Sequence, residues 1–150
     1  MPKHKKVCYI DNIDNINNNN NNNNNNFEKL FILFNEFQCS IKLHYLMTNK
    51  YIIHTSINDL YNNLLSLINK FFEEYIILYK NDMPSIINNI TINLSYNNNS
   101  NNELIPYIIN FRDNIKNYYE NKDDNNIGIN NILNDIIYLI NKFLYVITLE

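Results

Sequence analysis

The stretch TSINDLYNNLLSLINKFFEEYIILYKN, residues 55–81, decides the fold. Ile57, Leu60, Leu64, Leu67, Phe71, Glu74 and Leu78 recur in it at steps of three and four. That is the period of a helix with one apolar face. Tyr61, Ile68 and Tyr75 widen the face. Thr55 or Ser56 is the expected N-cap, since a hydroxyl there accepts a first-turn N–H. The helix ends near Asn81, with Pro84 just beyond. Such a helix is ~40 Å long, and its stripe has to be buried against other elements.

The flanking sequence supplies them. Upstream, Phe27, Leu30, Phe34, Phe37, Ile41, His44 and Thr48 make a first helical stripe. Downstream, a third helix over 103–121 carries Leu104, Tyr107, Ile108, Phe111, Ile115 and Tyr118. Pro106 is expected in its first turn, where a missing N–H costs nothing. NKDDNN breaks the pattern, and a fourth helix runs from Ile129 to the end. Its stripe is Ile129, Ile132, Ile136, Leu139, Phe143 and Ile147, widened by Leu133, Ile140 and Leu144. Four apolar stripes predict an all-α fold, a four-helix bundle over residues 27–150.

The connections read short, long, short. In the long one, 82–101, Ile90, Ile92, Leu94 and Tyr96 alternate with Thr91, Asn93 and Ser95. Period two predicts an extended segment. With no strand partner in view, it is expected to lie along the helices with one face buried, and NNNSNN to be loop. One long link between helices two and three is the ferritin-like arrangement, and about 20 residues reach ~66 Å when extended. An up-down-up-down path with a bulging loop is the alternative.

Residues 1–26 read as a disordered Asn-rich tail ending in ten consecutive asparagines. Such a tract has little apolar surface to offset its ordering entropy. The passive spacer is the main reading and β-type self-association the other.

The composition is extreme: 37 Asn and 26 Ile, with no Ala or Trp, one Gly and one Arg. This is the signature of AT-rich codons and speaks of origin rather than activity. The net charge of −3 and the scattered lysines argue against nucleic acid as a partner. The basic cluster Lys3, Lys5 and Lys6 leaves tail-mediated nucleic-acid association as a weaker reading. The apolar run before Asp11 is only the four residues VCYI, too few for a secretory signal, and no run of 18 apolar residues predicts a membrane span. Cys8 and Cys39 form no CxxC and read as reduced thiols. A cytoplasmic location is expected, host cytoplasm or virion if the chain is viral.

No E-x-x-H, H-E-x-x-H, Walker loop or G-x-S-x-G occurs. The chain points to no enzyme class, and no cofactor is expected. The one constellation worth carrying forward is His44, His54 and Asp59. If the first turn is centred near Tyr51, antiparallel packing lets two imidazoles and a carboxylate converge, a set suited to Fe, Mn or Zn. The simpler reading makes His44 a hydrogen-bonded core histidine, His54 a helix-start residue and Asp59 a solvated charge. Glu74, on an apolar stripe, is expected to snorkel or to bond a tyrosine hydroxyl.

From His44 onward, HYLMTNKYIIHTSINDLYNNLLSLINKFFEEYI resembles a family of small helical proteins of unknown function encoded by tailed phages and giant double-stranded DNA viruses. The family pattern H-W-Q-T-x-S-Y-A-x-H is matched by Thr48, Tyr51 and His54, and its L-Y by Leu60 and Tyr61. The closing INKFLYVITLE resembles its last helix. The similarity covers about residues 30–80 and 130–149. Aligned without a gap, the family's first histidine falls on Tyr45. The family is similar in outline to the miniferritins, but Tyr61 and Leu65 stand where their carboxylates would. The resemblance implies a viral or viral-like accessory protein, a non-catalytic bundle acting through a protein partner or self-association. A ferritin-like metal binder is the second reading.

Overall fold

The computed structural model describes residues 7–10, 22–80, 90–93, 101–120 and 126–149, with side-chain surroundings for 27–80, 91–93, 103–120 and 126–149. The elements are β1 (Val7–Ile10), α1 (Asn22–Met47), α2 (Tyr51–Tyr79), β2 (Ile90–Asn93), α3 (Asn101–Glu120) and α4 (Ile127–Thr148). The four expected helices are present, and their boundaries shift. α2 starts four residues before Thr55, so neither Thr55 nor Ser56 caps it. The Thr55 hydroxyl instead donates to the Tyr51 carbonyl at 2.7 Å, one turn back inside the helix. α3 begins at Asn101, which moves Pro106 from the first turn into the second. α1 takes in the last five asparagines of the run. Most of the expected tail, the loop residues 97–100 and much of the long connection lie outside the described residues.

α2 packs on α1 along one side and, most extensively, on α4 along the other. α3 fills the fourth corner against α1 and α4. Ring contacts give the directions. Phe27 meets Tyr75 while Tyr45 meets His54, so α1 and α2 are antiparallel. Phe34 meets Phe111 while Phe37 meets Tyr107, so α1 and α3 are antiparallel too. Glu74 lies beside Gly128, and Asp59 and Asn63 share a groove with Lys142 and Val146, so α4 runs against α2. α2 therefore ends where α1 begins, and α3 starts at the other end.

The core has two textures. Where α1 meets α2 and α3 it is aromatic: Phe27, Phe34, Phe37, Phe71 and Phe111 are buried, and the Phe37 and Phe111 rings lie parallel with centroids 3.6 Å apart. Where α4 closes the bundle it is branched aliphatic, with Leu64, Ile115, Leu133, Ile136 and Ile140 all inaccessible or nearly so. Aromatic pairs add ~0.5–1.5 kcal/mol each beyond the area they bury.

Ile90–Asn93, the part of the period-two segment within the described residues, is extended as read, but it has a partner that no single-segment pattern reveals. β2 pairs antiparallel with β1, Val7 opposite Asn93 and Ile10 opposite Ile90. Ile92 is buried while Thr91 and Asn93 face out. The Asn93 N–H donates to Glu36 Oε1 of α1 at 2.9 Å, which pins β2 beside the middle of that helix.

Glu74 is half-buried on the α2 stripe. Its carboxylate reaches the first turn of α4, where a Cβ added at Gly128 would lie 3.5 Å from Oε2. The Asn126 side chain caps the same turn, accepting the Ile129 N–H at 3.1 Å. Negative charge at a helix N-terminus is worth ~0.3–1 kcal/mol, which offsets the cost of placing Glu74 on an apolar stripe.

Phe111→Ala removes a ring that touches both Phe34 and Phe37. It is expected to lower unfolding free energy by ~3–5 kcal/mol in urea denaturation. A loss under ~1 kcal/mol would show that this aromatic corner does not hold the fold.

Candidate functional site

The structure does not bring His44, His54 and Asp59 together. His44 is on the buried stripe of α1, 9% exposed. His54 is engaged by Tyr45. Its Nδ1 donates to the Tyr45 carbonyl at 3.0 Å, and its ring stacks on Tyr45 with centroids 4.1 Å apart. Asp59 is exposed and faces α4. Among the described residues, no three His, Cys, Asp or Glu side chains are grouped to hold a metal ion. The reason is angular. Asp59 stands five positions after His54, which turns their side chains ~140° apart around the helix axis. Axial proximity alone did not account for that rotation.

Tyr45 has another role. The Lys42 ammonium lies 4.6 Å from the centre of its ring and 4.9 Å from that of Tyr61. His54 covers Tyr45 as well. Cation–π contacts of this kind contribute ~0.5–1 kcal/mol at exposed sites, and here they tie α1 to α2 near their turn. The Thr48, Tyr51 and His54 pattern therefore marks a hairpin, with His54 as its fastener.

A polar strip on α1 had no sequence signal. Ser40 is fully buried, and it hydrogen-bonds Tyr107 of α3. The Tyr107 hydroxyl donates to the Glu36 carbonyl at 3.3 Å. Burial pushes the Tyr107 phenol above its ordinary value near 10; the Ser40 bond opposes this, and nearby Glu36 and Cys39 add to it. Ser40 lies one turn before His44, but that spacing gives no sign of a partner on α3.

Exposed apolar residues gather at the two ends of the bundle among the described residues. At the α1–α2 turn, Leu46, Met47, Tyr51 and Ile52 are 54–81% exposed. α4 runs against α2, so its last turn, with Tyr145, Val146 and Leu149, reaches the same end, and all three are exposed. From there a groove of about 190 Å³ runs down between α2 and α4, lined by Ser56, Asp59, Leu60 and Asn63 on one side and Leu139, Lys142, Phe143 and Val146 on the other. Ile76, Ile77, Leu78 and Ile127 form a second exposed set at the opposite end, flanking stretches outside the described residues. No helix among the described residues is long and apolar enough to cross a membrane.

Residues 44–147 match the family model described as "Family of unknown function (DUF5856)", and with that span covering most of its length the chain belongs to this family. No curated protein and no solved structure matches it.

The raised Tyr107 pKa makes a signed prediction. The folded state holds this proton more tightly than the unfolded chain. The stabilisation is complete below pH ~10 and is lost as pH rises through the folded value. Tyr107→Phe is expected to cost ~1 kcal/mol at pH 8 and to lose less stability than the unsubstituted protein between pH 8 and pH 11. Denaturation curves at both pH values check it, and identical pH dependence would remove Tyr107 as the titrating group.

Proposed function

We propose that this member of the family is a non-catalytic interaction module, a viral or viral-like accessory protein that presents one end of a ferritin-like bundle to a protein partner. The observation that carries the reading is the gathering of Leu46, Met47, Tyr51 and Ile52 with Tyr145, Val146 and Leu149 at one end. Exposed apolar residues are normal when scattered, but a contiguous set marks an interaction surface. Tyrosine and methionine are also the residues interfaces favour.

The ferritin-like path is supported by the helix directions. α1 and α4 point one way and α2 and α3 the other, with α2 packed on α4 rather than on α3. β2, beside the middle of α1, lies on the route from the end of α2 to the start of α3. The viral reading is supported by the Thr48, Tyr51, His54 and Leu60-Tyr61 pattern with the Asn- and Ile-rich composition.

A photo-crosslinking amino acid placed at Tyr51, and separately at the exposed polar position Asn131, tests the surface in the cells that make the chain. Adducts are expected at 51 and not at 131. No adduct at 51, or equal adducts at both, would overturn the reading.

A further inference from the structure

We infer that the partner at this surface is a second copy of the chain, docked face to face along the α2–α4 groove about a twofold axis parallel to it; this rests on the interaction reading above. Two helix stripes carry Ser56, Asp59, Asn63 and Lys142 of the groove lining and extend beyond it. On α4, Tyr138, Lys142, Tyr145 and Leu149 follow at steps of four, three and four and are all exposed. On α2, Ile52, Ser56, Asp59 and Asn63 follow at the same steps. This spacing keeps each set on one side of its helix.

The register between the helices makes the face self-complementary. Glu74 beside Gly128 at one end, and Asp59 sharing the groove with Lys142 further along, fix which residues lie level. The same antiparallel register brings Ile52 level with Leu149. Rotation by 180° about an axis along the groove keeps every height and exchanges the two helices. Asp59 of one copy then faces Lys142 of the other, and the reverse pair forms beside it. Ile52 meets Leu149 twice in the same way. An isologous interface needs a patch that complements itself, and one acid level with one base above an apolar end provides it. Within a single copy, Asp59 and Lys142 form no ion pair among the described residues. Their charges remain available to an opposing surface, where complementarity sets register and suppresses wrong partners.

The test is a charge exchange read by sedimentation equilibrium on the full chain. The unsubstituted protein is expected to dimerise. Asp59→Lys and Lys142→Asp are each expected to weaken the dimer by about tenfold or more, through like charges facing across it. The double exchange is expected to return most of that affinity. Both sites are exposed, so circular dichroism and the melting temperature should stay unchanged and separate dimer loss from misfolding. A protein still monomeric at ~100 μM, a range that reveals even weak association, would overturn the inference. So would a dimer indifferent to the single exchanges, or a double exchange that recovers nothing. If the protein is monomeric while position 51 still crosslinks to a different protein, the dimer fails and the interaction reading stands. If neither association nor crosslinks appear, both fall.

Discussion

The seam between α2 and α4 is the contact on which the rest of this bundle depends. α2 lies between two helices, with Phe71 and Tyr75 in the aromatic corner of α1 and Leu64 and Ile68 in the aliphatic core that α4 closes. A helix flanked on both sides keeps its remaining face for solvent. That face carries Asn62, Asn69 and Lys70, all exposed. The seam also sets the register that brings Glu74 to the start of α4 and the turn of α1–α2 to its end. The charge at one end and the apolar surface at the other are both consequences of how those two helices align.

The helices were legible because their signal is periodic and long. Seven positions of α2 at steps of three and four leave little room for another reading, and all of them but Leu67, Glu74 and Leu78 are buried. Boundaries were less legible because side-chain chemistry at a helix start is ambiguous. Thr55 has the hydroxyl of a cap, yet it bonds backward to Tyr51 within the helix. The β1–β2 pair was half legible. β2 alternates and declares itself, whereas VCYI is four residues inside a tract otherwise dominated by asparagine. Pairing is a property of two segments, and a scan of one cannot supply the other.

The candidate site was legible in its residues and not in their grouping. His44 and His54 stand out in the sequence, and each has a structural role, one on the buried stripe and the other closing the hairpin against Tyr45. The rotation between His54 and Asp59 was legible from their spacing, but which neighbour each side chain meets was not. Positions near each other along the axis still point to different neighbours, and Asp59 belongs to the α4 side. The polar strip of Ser40 and Tyr107 joins α1 to α3 across a large sequence distance, so no local pattern could announce it. The exposed end is a tertiary property as well, since it exists only because α4 finishes beside the point where α2 begins.

The ribbon bears on the order in which the chain assembles. α1 with α2, and α3 with α4, are hairpins whose partners are close in sequence, and such contacts form early because little chain entropy is lost in closing them. β1 and β2 join residues 7 and 93, a closure that spans more than half of the chain. It encloses the whole first hairpin, so it gains little until that hairpin exists and Glu36 is in place to receive the Asn93 N–H. The ribbon therefore acts as a clasp, fastened after the first hairpin has formed and the least costly part of the fold to undo.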